Sequence, residues 1–173
     1  SIDTSQININ DLCFVNGNQS IKLNGSISEN KDEALEIKLT QFKLDNLNHF
    51  IGNSGLVLNG AVDGTTTLSD LYHNPVFSSS INFKKIKLND ELIGNGSLAT
   101  VWDNKKQAVY LHGNFTKNNV PNILISGFYY PMRDSNNVDL EMTLQDMEMQ
   151  IFEPFVKDYC RDFNGKFGGD ITV

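Results

Sequence analysis

Apolar residues recur at every second position in stretch after stretch of this chain. Successive side chains of a β-strand point to opposite faces, so the pattern places apolar residues on one face and polar residues on the other. We therefore predict many strands that share one apolar face. The apolar positions of the clearest runs are Ile21, Leu23, Ile27, Leu35, Ile37, Leu39, Leu56, Leu58, Val62, Ile81, Phe83, Leu98, Val109, Leu111, Phe115, Ile123, Ile125, Leu140, Met142 and Leu144.

Short polar pairs separate these runs and predict tight turns. The pairs are Asn16-Gly17, Asp63-Gly64, Asn118-Asn119 and Asn136-Asn137. Glycine also recurs inside the runs, in the pattern apolar-x-apolar-x-Gly. It has the parity of the apolar residues, so it indicates either a bend of the sheet or room for a ligand on its apolar face. The positions that follow this pattern are Gly25, Gly60, Gly113 and Gly127.

The chain contains an internal repeat. The run that begins at Leu35 matches the run that begins at Leu140, and the offset of 105 residues also carries Phe50 onto Phe155 and Gly60 onto Gly165. Self-similarity of this kind marks an array of stacked units. We predict one elongated β domain over residues 1–173, with a repeat of roughly 20–68 in 122–173, and we interpret the chain as a fragment of a longer repetitive protein.

Composition supports an all-β fold. The chain has 22 Asn and 13 Gly but only 4 Ala, so poor helix formers far outnumber the best one. We predict two short helices, at residues 45–51 and at roughly 150–159, because apolar residues recur there at helical spacing. A single helical turn at residues 69–73 is a further prediction.

Charge and motif content narrow the function. A net charge of -7 argues against nucleic acid and against an anionic membrane surface. Gly94-x-Gly96-x-x-Ala99 has the spacing of a dinucleotide fingerprint, but a strand rather than a helix follows, so we interpret it as a turn. Cys13 and Cys160 lie far apart, without metal-ligand spacing.

The histidines add no metal site, since His49, His73 and His112 lack ligand spacing among themselves. No apolar run approaches the roughly 18 residues of a membrane span. We therefore predict no catalytic residue, no metal, no cofactor and no enzyme activity.

Several phrases together resemble the TamB family, the translocation and assembly module proteins of the bacterial envelope, and most closely its Bacteroides-like members. The resemblance covers roughly residues 20–115 and resumes in the second copy. The phrases that carry it are Leu58-Asn59-Gly60, Leu68-Ser69-Asp70-Leu71-Tyr72 before Asn74-Pro75, Leu88-Asn89-Asp90-Glu91-Leu92-Ile93-Gly94, Val101-Trp102-Asp103 and Val109-x-Leu111-x-Gly113.

This resemblance implies a long protein anchored in the inner membrane and crossing the periplasm. Such proteins fold into an open, solenoid-like trough of curved antiparallel or mixed sheet, often called a β-taco, whose concave face is apolar. By similarity, the expected partners are phospholipid acyl chains and, through the parent protein, an Omp85-type outer-membrane barrel. The expected roles are phospholipid transport between membranes and outer-membrane protein assembly.

Two other functions remain open on the sequence. The alternating residues could fill the dry core of a structural β-solenoid, sandwich spacer or adhesin-type scaffold. A carbohydrate-active β-helix enzyme would need grouped carboxylates on one outer face. The shape of the apolar face, open trough or closed core, separates the first two functions.

Overall fold

The computed structural model describes residues 6–51, 55–70, 72–73, 76–156, 159 and 164–173. Within these ranges ten strands form one open antiparallel sheet in the order of the sequence, so the predicted all-β class is confirmed. All described strand pairs are antiparallel, and the mixed sheet that we also allowed is not found. The strands are β1 Gln6–Asn16, β2 Gln19–Ser28, β3 Ala34–Lys43, β4 Leu58–Ser69, β5 Val76–Leu88, β6 Glu91–Asp103, β7 Ala108–Lys117, β8 Val120–Tyr129, β9 Val138–Glu148 and β10 Lys166–Thr172.

Most of the predicted turns lie between strands. Asn118 and Asn119 connect β7 to β8 with φ of 54° and 63°, the left-handed backbone that a two-residue hairpin needs. Asn16-Gly17 lies at the end of β1, and Asn136-Asn137 lies in the connection before β9.

Two predicted turns are wrong. Asp63-Gly64 lies in the middle of β4, where Gly64 pairs with Leu39 and Ile81. A Cβ at Gly64 would lie 2.8 Å from Cδ1 of Ile81, so glycine is there because its neighbours fill the space above it. The stretch from Gly94 to Ala99 is likewise part of a strand, β6, and not a turn.

Bulges bend the strands at repeated places. Asp11, Gln41 and Lys85 each have φ between 44° and 50°, and the register shifts beside each of them. A bulge leaves an N–H without its ladder partner. A side chain of the following strand accepts each of these N–H groups: Asn24 at 3.2 Å, Asp63 at 2.9 Å and Asn95 at 2.8 Å.

Asp63 also forms an ion pair with Lys84, whose Nζ lies 2.9 Å from Oδ2. The Gln41 N–H, followed by the Lys84 ammonium, holds the pKa of Asp63 below its ordinary value. The Asp63 carboxylate thus accepts the N–H that the bulge of β3 leaves without a ladder partner.

Two short helical segments follow β3 and β9. Segment 1 is a 3-10 turn at Leu44–Leu47 and a helix, α1, at Asn48–Ile51; segment 2 is a 3-10 turn at Met149–Phe152 and a helix, α2, at Glu153–Val156. Both helix predictions are confirmed in place, except that α2 is described only to residue 156. The bounds of the two segments differ by 105 residues throughout, the offset of the sequence repeat.

The packed core lies at one end of the sheet, beyond the bulges. Segment 2 reaches the β5–β6 turn there, where Asn89 Nδ2 donates to the Ile151 carbonyl oxygen at 2.8 Å. Nearby, Asn122 Nδ2 donates to the Ile93 carbonyl oxygen at 2.7 Å. The buried core residues are Leu44, Val62, Ile86, Ile93, Met147 and Ile151.

The remaining sequence predictions concern single features. The predicted turn at residues 69–73 begins inside β4 at Ser69, and residue 71 lies outside the described residues. The His73 N–H donates to the Asp70 carbonyl oxygen at 3.2 Å. Cys13 is exposed on β1 with a free thiol, and Cys160 lies outside the described residues. In the described ranges no helix has the length and apolar character needed to cross a membrane.

Candidate functional surface

The strand register places apolar side chains on one face of the sheet, which we call the apolar face. Residues paired across antiparallel strands point to the same side, so the pairs can be followed from β1 to β10. Three rows of this kind run across nearly the whole sheet, and a fourth begins at β3.

The rows contain no charged side chain. The first row is Ile9, Gly25, Leu35, Leu68 and Phe77, continued by Trp102, Val109, Tyr129 and Val138; the second is Leu12, Leu23, Ile37, Thr66, Ser79, Thr100, Leu111, Gly127 and Leu140; the third is Phe14, Ile21, Leu39, Gly64, Ile81, Leu98, Gly113, Ile125, Met142 and Ile171; the fourth is Phe42, Val62, Phe83, Gly96, Phe115, Ile123, Leu144 and Gly169. A continuous uncharged strip therefore crosses the sheet from edge to edge.

The middle of the apolar face is only partly buried. In a sandwich, residues that face inward are covered by a second sheet. Here Leu23, Ile37 and Leu111 of the second row remain half-exposed, and no large side chain of the described residues is fully buried. Near the edges the exposure rises, to 58% for Phe14 and 45% for Ile171. Leu35 and Val109 of the first row are buried, at 5% exposure each, so the partly exposed part of the apolar face is its second and third rows.

Glycines on this face do not leave empty sites. Gly96 lies between Phe83 and Phe115, whose ring centroids approach to 5.3 Å across it. The two rings sit on strands about 10 Å apart, twice the interstrand spacing, so they meet only because Gly96 has no side chain. One interpretation of the glycine pattern was that it leaves room for a ligand. This interpretation is wrong at Gly113, where Cδ1 of Leu98 would lie 2.9 Å from an added Cβ.

The other interpretation, a bend, fits Gly25. Its φ is +120°, and an added Cβ would lie almost on the Ala34 carbonyl oxygen. Gly25 therefore marks a close approach of two backbones. Gly60 and Gly127 also have positive φ, of +123° and +149°.

The structure brings most of the predicted lining residues onto the apolar face. Ile27 pairs with Ile7 above the first row. Leu58 lies at the core end, where it packs against the buried cluster rather than in a row. Leu56 precedes β4 and is in no strand, so the alternation that begins with it does not start the strand. The other predicted residues lie in the four rows.

Sequence reasoning missed several members of the rows. Leu12, Phe42 and Phe77 were not predicted, and neither were Trp102 and Ile171. A signal existed for two of them, because an alternating run jumps by three positions at each bulge, from Ile9 to Leu12 and from Leu39 to Phe42.

The opposite face, which we call the polar face, carries an aromatic group as well. The Tyr110 and Phe128 ring centroids lie 5.0 Å apart, and Phe128 and Tyr130 lie 6.2 Å apart. Lys106 Nζ lies 3.5 Å above the Phe128 ring, and Arg133 Cζ lies 3.5 Å above the Tyr130 ring. The aromatic group therefore already has cation–π partners within the chain.

Catalytic chemistry has little support among the residues that the structure describes. No group of three or more His, Cys, Asp or Glu there could hold a metal ion. His112 is exposed on the polar face between half-buried neighbours, and His73 faces the Asp70 carboxylate at 3.2 Å. The arrangement with a clear chemical property is the apolar face.

Comparisons with known proteins do not assign this surface to a family. No protein family, no curated protein and no solved structure matches the chain.

Proposed function

We propose that the chain is a segment of a periplasm-spanning envelope-biogenesis protein whose apolar face shields lipid acyl chains during phospholipid transport between membranes. The observation that carries the proposal is the continuous, uncharged and partly exposed strip of the second and third rows, since the fourth row packs into the core cluster. Its chemistry matches a hydrocarbon chain, and it offers no charged group to such a chain.

The energetic need for such a surface is large. A chain of about 16 carbons costs on the order of 12 kcal/mol in water, at about 0.8 kcal/mol for each CH₂. A carrier must replace most of that contact with water at every point of the path. The third row runs without a charged interruption across all ten strands and meets this requirement, because a single unpaired charge beside hydrocarbon costs several kcal/mol.

The length of the strip also suits an acyl chain. Nine interstrand spacings of about 4.8 Å make the third row about 43 Å long. One acyl chain spans half of a hydrocarbon core of about 30 Å, or about 15 Å. The third row is therefore longer than one chain, and a lipid that moves along it meets only apolar side chains and glycine.

The cellular setting is proposed on the sequence resemblance alone. By that resemblance the parent protein is anchored in the inner membrane, crosses the periplasm and supports outer-membrane protein assembly with an Omp85-type barrel. Affinity purification of the parent protein from bacterial envelopes tests this setting. Recovery of an Omp85-type barrel supports it, and recovery of cytoplasmic proteins alone contradicts it.

A structural spacer remains the second candidate, and one observation favours it. The cluster around Val62, Ile86 and Met147 is a packed, dry core of the kind a scaffold needs. That core occupies only the end of the sheet beyond the bulges. A spacer does not require the uncharged, half-exposed rows on the other side of them.

Native mass spectrometry after incubation with phospholipid separates the two functions. Ser79 and Ser80 offer a matched pair: Ser79 lies in the second row, and Ser80 is exposed on the polar face. We expect lipid adducts on the wild-type chain and on Ser80→Lys, and their loss in Ser79→Lys. A wild-type chain without adducts favours the spacer, and equal adducts on both variants refute binding at the apolar face.

A further inference from the structure

Three lysines border one cleft on the polar face. Lys43 of β3 and Lys84 of β5 both pair in register with Ala61 of β4, so they face each other across a methyl group. Lys85, the bulge residue of β5, borders the same cleft, which has a volume of about 430 Å³. Gly60, beside Ala61, leaves its floor without a large side chain.

This placement of like charges is unfavourable by itself. β3 and β5 are two strand spacings apart, about 10 Å, so the two ammonium groups repel each other chiefly at low salt, where screening is weak. Lys84 is partly compensated by Asp63 at 2.9 Å. Among the described residues, no carboxylate oxygen lies within 4.0 Å of the ammonium of Lys43 or Lys85.

The chain as a whole does not lack carboxylates. It carries 21 acidic residues against 14 basic ones. One of them, Asp45, borders the cleft but forms no ion pair there within the described ranges. The cleft therefore keeps an excess of positive charge on a negatively charged protein.

The second repeat shows how the same position is compensated elsewhere. The offset of 105 places Glu148 at the position of Lys43 and Lys166 at the position of Ala61. Glu148 and Lys166 pair in register between β9 and β10, and each has an ion-pair partner, Lys117 at 3.1 Å for Glu148 and Asp146 at 3.9 Å for Lys166. In the first repeat both flanking residues are lysines, and the residue between them has no charge of its own.

We infer that this lysine cleft binds a phosphate group, carried by a lipid headgroup or by a soluble phosphorylated molecule. A phosphate between Lys43 and Lys84 offsets their repulsion, and Lys85 adds a third donor. Ala61, whose side chain is a single methyl group, leaves space between the two lysines for a phosphate oxygen. The cleft lies on the polar face, so this binding does not depend on lipid at the apolar face.

The direct test is titration of the chain with inorganic pyrophosphate at low salt, followed by NMR of backbone amides. We expect saturable shifts at Ala61 and its neighbours. Lys43→Gln combined with Lys85→Gln should weaken binding by about tenfold or more, since it removes two charge-assisted contacts. The matched control is Lys38→Gln with Lys105→Gln, two exposed lysines that form no ion pair among the described residues, and it should bind like wild type.

A second variant keeps the proposal testable if the lysine variant unfolds. Ala61→Glu places a carboxylate between Lys43 and Lys84, so it should abolish pyrophosphate binding and raise the urea midpoint relative to Ala61→Gln. Linear, unsaturable shifts in wild type, or equal loss in the Lys38 control, would overturn the proposal. So would full binding by Ala61→Glu.

Vesicle pelleting distinguishes the two sources of phosphate. Pelleting with phosphatidic acid in phosphatidylcholine, lost in the Lys43 and Lys85 variant, supports a headgroup. Pyrophosphate binding without pelleting supports a soluble phosphorylated molecule. Binding to neither probe refutes the cleft as a phosphate site.

Discussion

Adjacent residues of β8 provide a sharp test of the apolar face. Ile125 lies in the third row between Gly113 and Met142, whereas Leu124 lies on the polar face between Asn114 and Thr143 and is 47% exposed. Both are aliphatic residues of one strand. We predict that Ile125→Arg abolishes acyl-chain binding and that Leu124→Arg leaves it unchanged.

The expected loss follows from the cost of charge beside hydrocarbon. An arginine facing the centre of an apolar layer costs at least about 2.5 kcal/mol on biological insertion scales. That cost corresponds to a loss of affinity of about 70-fold. The loss of stability should be smaller, about 1 kcal/mol, because Ile125 is half-exposed and the long arginine stem can still cover Gly113.

Displacement of a fluorescent fatty acid measures the affinity, and urea unfolding of the same samples measures the stability. The two variants carry the same added charge, so electrostatic attraction of the fatty acid carboxylate is equal in both. Unchanged affinity in Ile125→Arg, with the protein folded, would refute the reasoning. Equal loss in Leu124→Arg would place the binding elsewhere.

Three further predictions concern the fold itself. Asp63→Asn should lower stability near pH 6 in urea unfolding, and the loss should shrink as pH falls below the unfolded pKa of about 3.9. The reason is that a carboxylate whose pKa is lowered in the fold, here mainly by the Gln41 N–H, stabilises above its unfolded pKa and loses that effect as pH falls through the folded pKa; an equal loss at pH 6 and pH 2.5 contradicts it. Gly25→Ala should cost several kcal/mol of stability in thermal unfolding, and Gly17→Ala about 1 kcal/mol. The reason is that the added Cβ meets backbone atoms at Gly25 and nothing at Gly17. Equal costs would be inconsistent with the close approach of two backbones at Gly25. Ile151→Ala should cost about 2–5 kcal/mol in urea, since Ile151 is 5% exposed within the core cluster, and a loss below about 1 kcal/mol would show that segment 2 does not close the core.

The period of the sequence predicts the strands and their common face, because alternation fixes parity within each unbroken stretch. It does not predict where parity changes. Gln41 and Lys85 take positive φ, and their N–H groups are accepted by Asp63 and Asn95 of the next strand, so each bulge depends on a partner some distance away in the chain. Within one strand, the sequence shows only that the apolar alternation jumps by three positions. This jump is weak evidence for a bulge.

Glycine on the apolar face shows a second limit. Parity places Gly96 and Gly113 correctly, but it does not reveal whether the space above them is empty. The Phe83 and Phe115 rings and the Leu98 side chain fill it, and their reach depends on the register of three strands. The lysine cleft has the same origin, since Lys43, Ala61 and Lys84 meet only through pairing.

The alternating pattern also does not predict the packing at the core end of the sheet. Leu58 has the parity of a lining residue, but it packs against the buried cluster, so Leu58→Arg should unfold that end rather than only block binding. Segment 2 contributes Ile151 to the same cluster and bonds to Asn89 from 62 positions away. Contacts at this separation are set by the bending of the whole sheet.

Photocrosslinking at three leucines shows which face of the sheet contacts lipid. Leu111 and Leu140 lie in the second row on β7 and β9, and Leu124 lies between them on β8 but faces the other side. Each is replaced in turn by a photoreactive amino acid, and the chain is illuminated in the presence of radiolabelled phospholipid. The account predicts labelled lipid at positions 111 and 140 and background at position 124; equal labelling at all three, or none at 111 and 140, would contradict it.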